Sequence, residues 1–200
     1  MTGAPRKRTH RTLIGEVRII AGTWRSRRIS FPSVEGLRPT PDRVRETLFN
    51  WLGHDLEGFR CLDLYAGSGA LGFEALSRGG GPVVMVERDG TAYRALESNA
   101  QLLGAAQLEL VRGDALEFVK RLAAAAGASS SRRFDLVFLD PPFDAGLPAD
   151  MLQLLQDLLA PGGRIYLESG CPLEASAPWV VEKSGRAGQV YFQLLRLETA

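Results

Sequence analysis

The sequence predicts an α/β protein built on a doubly wound, largely parallel sheet, and three observations carry that expectation. From Cys61 onward, short apolar runs alternate with segments of helical periodicity. The first of these runs opens into a glycine-rich turn, Gly67 to Gly72, that leads straight into a helix. The chain closes with two β-rich runs, Trp179 to Lys183 and Gln189 to Leu197, whose short connection, Ser184 to Gly188, makes them antiparallel.

Residues 1–12 are polar, basic and free of apolar periodicity, so they are expected to stay unstructured until a partner meets them. Val17 to Ile20 and Arg27 to Phe31 flank a glycine-containing turn and predict a hairpin. A helix start follows, with Thr40 as N-cap, Pro41 at the first helical position and Asp42 at the positive end. Val44, Leu48 and Leu52, beside Phe49 and Trp51, give this helix a broad apolar face. The main sheet then begins with Cys61 to Tyr65 and a helix to about Ser77. Its second strand is Val83 to Val86, running into Glu87 and Arg88, and a helix over Ala92 to Leu103 carries it to the third, Leu108 to Val111. Leu116, Val119, Leu122 and Ala126 mark the next helix. Phe134 to Leu139 reads as a strand buried on both faces, stopped by Pro141 and Pro142, which offer the ladder no N–H. A helix over about Pro148 to Leu159 and a fifth strand from Arg164 to Glu168 precede the final pair. Residues 1–37 are read as a basic arm and hairpin, and 38–200 as the main domain.

Two hundred residues, 45% of them hydrophobic, suit one core, and no apolar run is long enough to span a membrane. With no apolar signal segment at the N-terminus, a cytoplasmic location and a monomer are expected. Cys61 and Cys171 lack Cys-x-x-Cys spacing and only His10 and His54 could add imidazoles, so neither a metal site nor a disulfide framework is read. Residues 1–45 hold eleven Lys and Arg against three Asp and Glu, whereas the rest hold thirteen against twenty. A basic arm on an acidic body suits nucleic-acid binding. Arg18, Arg25, Arg27, Arg28 and Arg38 would supply phosphate contacts and Trp24 a stacking surface for RNA. A Trp24 that packs on the body fits the sequence as well.

The chemistry concentrates at strand ends. Gly67-Ser68-Gly69-Ala70-Leu71-Gly72 satisfies G-x-G-x-x-G between strand and helix, a pattern shared by dinucleotide sites and other adenosine cofactors. Glu87 ends the next strand, where a carboxylate can take both ribose hydroxyls, and Asp114 after the third can accept from an adenine amino group. The cofactor set is therefore read as Asp63, Tyr65, Ala66, Gly67, Ser68, Gly69, Gly72, Glu87, Arg88, Asp114 and Ala115, with Thr40 and Arg43 from the helix start. Arg38, Arg43 and Arg45 are too many basic groups for packing alone and could hold a phosphate or ligand carboxylate. The fourth strand delivers Asp140-Pro141-Pro142-Phe143. Asp140 and the Pro141 carbonyl can hold the two N–H bonds of a planar amine, with Phe143 stacked on its ring, freeing the nitrogen lone pair for an electrophile. In a doubly wound sheet the first and fourth strands are neighbours at the switch point, so cofactor and amine share one crevice.

Asp140 to Phe143 resembles the Asp/Asn-Pro-Pro-Phe/Tyr motif of amino-methyltransferases. Together with Arg18 to Gly22 and Trp24, the Leu37 to Leu52 segment and Leu62 to Gly72, it makes the chain from residue 17 onward similar to the RsmD family of bacterial 16S rRNA guanine-N2 methyltransferases. The resemblance implies a Rossmann-like class I fold with a seven-stranded sheet in the order 3-2-1-4-5-7-6, preceded by a hairpin. It implies S-adenosylmethionine as cofactor and Asp140, Pro141, Pro142 and Phe143 as catalytic residues. It further implies methylation of one guanine N2, position 966, in 16S rRNA of the 30S subunit or a late assembly intermediate. It also suggests that Arg38 to Arg45 closes over the cofactor. An adenine-N6 methyltransferase on DNA or RNA is the enzymatic alternative. A non-catalytic RNA-binding ribosome assembly factor is the alternative of another class.

Overall fold

The computed structural model describes residues 14–33, 39–126, 133–142, 146–174 and 176–198. The basic residues 1–12, Arg38, Phe143 and the loop 127–132 lie outside the described residues. Two strands, β1 (Ile14–Arg18) and β2 (Arg28–Pro32), form an antiparallel hairpin, and α1 (Asp42–Leu52) follows. The main sheet is built from β3 (Cys61–Asp63), β4 (Val83–Glu87), β5 (Leu108–Arg112), β6 (Phe134–Leu139), β7 (Leu159–Ser169), β8 (Trp179–Ala187) and β9 (Val190–Leu197). Between them run α2 (Ala70–Ser77), α3 (Gly90–Leu103), α4 (Ala115–Ala126) and α5 (Met151–Gln156). The strand order is β5-β4-β3-β6-β7-β9-β8, with β9 antiparallel to both neighbours. Counted from β3, this is the expected 3-2-1-4-5-7-6.

Strand periodicity divides the core into two layers. Cys61, Val83, Met85, Leu136, Phe138 and Tyr166 face one apolar cluster, which the hairpin, α1, α2 and α3 cover. Leu62, Val84, Val137, Leu139, Ile165 and Leu167 face the other, under α4 and α5. Val17, Ile19, Ile29 and Phe31 of the hairpin region belong to the first cluster, so the N-terminal extension and the sheet share a core. Because α2 is pressed between hairpin and sheet, every one of its residues is buried. Asp89 caps α3 by accepting from the N–H groups of Thr91 and Ala92, both at 2.8 Å.

Four expectations shift. The regular hairpin ladder ends at Arg18 and Arg28: Ile19 still donates its N–H to the Arg27 carbonyl at 2.9 Å, whereas the N–H groups of Ile20 and Ala21 donate to the Glu74 carboxylate, at 2.7 and 3.0 Å. Thr40 is not the N-cap: Pro41 takes that place, with φ −58° and ψ 149°, and the Thr40 hydroxyl turns toward β7. The fifth strand of the sheet starts at Leu159, which pairs with Phe134 before a register shift that resumes at Leu136 and Arg164; the preceding helix is correspondingly short. Finally, Ser184 to Ala187 stay in the last ladder, with the Arg186 guanidinium over the Tyr191 ring opposite it at 5.0 Å, and the reversal tightens to Gly188-Gln189.

Candidate active site

The ends of β3, β4 and β5 build one half of the crevice. Gly69, with φ 79°, leads into α2; a side chain there would stand 2.6 Å from the Phe73 ring and 2.7 Å from Leu96. At Gly72 a side chain would run into Met85 and come within 3.2 Å of an Asp63 oxygen, so helix and strand meet closely only because it is glycine. Asp63 is buried and accepts from the Gly72 N–H at 3.2 Å. Burial lifts its carboxyl to about 7, the N–H groups of Gly72 and Tyr65 oppose that, and the charge of Glu87 adds to it. Glu87 holds the turn itself, taking the Gly67 N–H at 2.8 Å and the Asp89 N–H at 2.7 Å.

Ser68 is buried and accepts from Ala70 N–H at 3.3 Å, and Ala66 donates to the Val86 carbonyl at 3.0 Å. Asp114 caps α4 through one oxygen, 2.9 Å from Leu116 N and 3.1 Å from Glu117 N, beside the buried Ala115. The Tyr65 hydroxyl is pushed up to about 12, first by burial and then by Asp114, with the exposed Arg88 opposing. Tyr65, Arg88 and Asp114 therefore share a corner. These residues fit an adenosine cofactor: a glycine cradle that a side chain would fill, a helix start, and carboxylates at successive strand ends.

The other half belongs to β6 and β7. Register places Asp63 beside Phe138 and Leu139 beside Leu167, so Asp63, Asp140 and Glu168 end three adjacent strands. Burial, then the charges of Glu168 and Asp63, push the Asp140 carboxyl well above the ordinary range, against a lowering contact from Thr40. The Thr40 Oγ1 lies 2.9 Å from Glu168 Oε1 and 3.5 Å from Asp140 Oδ2. The buried Tyr166 hydroxyl also donates to Glu168 Oε1, at 2.9 Å. Burial raises Glu168 too, while those two hydroxyls lower it. Pro141, Pro142, Leu147, Leu167, Glu168 and Leu173 are among the residues lining an adjoining cavity of about 490 Å³.

Arg45 is a correction. It is fully buried and spends its donors on the Thr40 carbonyl (3.2 Å), the Arg18 carbonyl (2.8 Å), Asp42 (2.6 Å) and Glu74 (3.3 Å). Glu74, also buried, takes Arg78 Nε at 2.9 Å, and that guanidinium lies over the Phe49 ring. Arg45 is thus a clasp between hairpin, α1 and α2, and it anchors Thr40; it holds no ligand. Arg43 remains exposed.

Of the hairpin residues, Arg25 is exposed, Arg18 and Arg28 meet Asp42 and Glu16, and Arg27 donates to the Leu102 carbonyl at 2.8 Å. Trp24 is half-buried, edge-on to Phe73 at 6.5 Å, which favours the packing role for that ring. Sequence reasoning missed Glu168 as a site residue. The signal was present, since the rule that selected Asp63, Glu87, Asp114 and Asp140, a carboxylate at a strand's C-terminal end, applies to it equally.

Comparison with known proteins agrees with this geometry. The family model described as Conserved hypothetical protein 95 matches residues 17–196. The chain is 42% identical over 186 residues to the ribosomal RNA small subunit methyltransferase D of Haemophilus influenzae, covering 90% of this chain and 93% of that one. It is 40% identical over 190 residues to the protein of the same name from Escherichia coli K12, covering 92% and 91%. The solved structure of yhhF from Escherichia coli superposes with a TM-score of 0.78 at 40% identity, over 93% of this chain and 100% of that one. The fold is that of S-adenosylmethionine-dependent methyltransferases. From residue 17 to residue 196, with its glycine turn, its strand-end carboxylates and Asp140-Pro141-Pro142 in place, this chain belongs to the RsmD family.

Proposed function

We propose that the protein transfers a methyl group from S-adenosylmethionine to the N2 amino group of one guanine in 16S rRNA, acting as a monomer on the 30S subunit or a late assembly intermediate. The observation that carries this reading is the adjacency of Asp63 and its glycine turn to Asp140-Pro141-Pro142 on neighbouring strands. When bound, the cofactor's sulfonium supplies an electrophilic methyl. Asp63, the Gly67 to Gly72 turn, Glu87 and the Tyr65, Arg88 and Asp114 corner would hold it. Asp140 and the Pro141 carbonyl accept the two amino N–H bonds, so the nitrogen lone pair leaves the ring plane and points along the line of transfer. Such positioning supplies roughly 7 to 11 kcal/mol of barrier lowering at best. Asp140 also stabilises the positive charge that develops on nitrogen.

The substrate assignment rests on the family and on the basic hairpin. Residues 1–37 would form the RNA-binding extension, with the exposed Arg25 contributing phosphate contacts. A base in a helix cannot reach this crevice, so the target is unpaired or flipped out. The test is incubation with labelled cofactor and 30S subunits, naked 16S rRNA or duplex DNA, followed by mapping of the modified nucleotide. Label at N2 of a single guanine in the subunit is expected. Label on DNA alone would establish the adenine alternative instead.

A further inference from the structure

We propose that Glu168 reads the acceptor base, accepting the N1–H of the guanine whose N2 amino group Asp140 holds. This rests on the guanine-N2 reading and sharpens it, because Asp140-Pro141-Pro142 alone would hold the amine of adenine or cytosine equally well.

The strand order places the cofactor residues of β3 and β4 on one side of Asp140 and Glu168 of β7 on the other. Asp140 and Glu168 both lie within 3.5 Å of one hydroxyl oxygen, that of Thr40, so the two carboxylates converge. Glu168 is 4% exposed and helps line the cavity beside Pro141 and Pro142. Its Oε1 receives both neighbouring hydroxyls, from Thr40 and Tyr166, an arrangement that fixes the carboxylate plane. Its Oε2 accepts a hydrogen bond from no described residue. Glu168 lines the cavity, so an oxygen without a protein donor can exchange water for a donor on a bound base.

Guanine supplies it. Its N1–H and N2 amino group are adjacent donors, matching two adjacent acceptors. In adenine and cytosine the atom beside the amino group is an acceptor, which would set a lone pair against Glu168. A site whose buried acceptor is left unpaired by the wrong substrate discriminates strongly.

The test compares 30S subunits reconstituted with guanine or with 2-aminopurine at the mapped target. The latter keeps the amino group but presents an acceptor at N1. The unmodified enzyme should prefer guanine by about tenfold or more in kcat/KM, the scale of a hydrogen bond to a charged group. Glu168→Gln should lose at least about tenfold on guanine and narrow the preference by a similar factor, since the amide can donate to N1. Cofactor affinity and melting temperature verify that the variant is folded. A folded variant whose preference stays within about twofold of the parent overturns the inference. 2-Aminopurine also lacks O6, so the parental preference does not isolate N1–H; should Glu168→Gln fail to fold, Glu168→Asp is compared in its place, and parity of the two bases in the parent overturns the assignment. Product mapping separates the two readings. Methylation at another base or atom refutes the proposed function itself, whereas guanine-N2 product with an unchanged preference refutes only the role of Glu168.

Discussion

Glu74→Gln offers a stringent test of how the hairpin is held to the catalytic body. Each oxygen of Glu74 serves one backbone N–H and one guanidinium: Oε2 takes Ile20 N and Arg45, and Oε1 takes Ala21 N and Arg78. A glutamine amide has a single acceptor oxygen. Whichever way it turns, its NH2 group faces one backbone donor and one arginine donor, and the two buried arginines lose their shared anion. An unsatisfied buried N–H costs about 1 to 3 kcal/mol, and breaking a buried ion pair by removing one partner costs about 3 to 5 kcal/mol in total. At about 2 to 4 °C per kcal/mol for a chain of this size, the melting temperature should fall by roughly 6 to 20 °C. Urea denaturation gives the free energy directly, provided the slope is unchanged. Hydrogen exchange should show one of the Ile20 and Ala21 amides, the one left facing the NH2 group, losing protection first. A cost below about 1 kcal/mol with an unchanged slope would refute the view that this cluster clamps the hairpin.

Asp63→Asn should flatten the pH dependence of stability. In the folded protein the Asp63 carboxyl titrates at about 7 against an ordinary 3.8, so its neutral form stabilises the fold fully below about pH 4. That contribution is lost as pH rises through about 7, and its ceiling is about 4 kcal/mol. Denaturation of parent and variant at several pH values between these limits measures it, and parallel curves would contradict the burial argument. Gly69→Ala places a side chain at φ 79° against Phe73 and Leu96. A loss of about 2 to 4 kcal/mol and weaker cofactor binding by calorimetry are expected. Gly104→Ala, at φ 68° with nothing within 4 Å, should cost only about 1 to 2 kcal/mol and leave cofactor affinity unchanged.

The contrast between Arg45 and Asp140 shows what was legible in the sequence. Strand ends are local objects: an apolar run, a stop and a polar residue suffice to place Asp63, Glu87, Asp114 and Asp140 at one edge of a parallel sheet. Once the alternation of runs established that sheet, its order and the shared crevice followed. Arg45 was misread because nothing near it in sequence announces Glu74, 29 positions away, or the hairpin carbonyl of Arg18. A buried arginine with several protein acceptors and an exposed one look alike until the tertiary contacts are known. Thr40 illustrates the same limit. Its capping chemistry was locally plausible, yet a carboxylate 128 residues away competes for the hydroxyl and wins. Trp24, balanced between RNA stacking and packing on sequence alone, meets Phe73 edge-on, a contact 49 positions away that the sequence does not announce.

In the proposed reaction Asp140 holds the reacting amine while the neighbouring residues hold the cofactor. Single-turnover methyl transfer by Asp140→Ala, measured beside its affinity for S-adenosylmethionine, tests this most directly. A fall in transfer of roughly 100-fold or more is expected, the scale seen when one preorganised transition-state contact is removed, with cofactor affinity within a few fold of the parent. Transfer at the parental rate by a folded, cofactor-binding variant would contradict it.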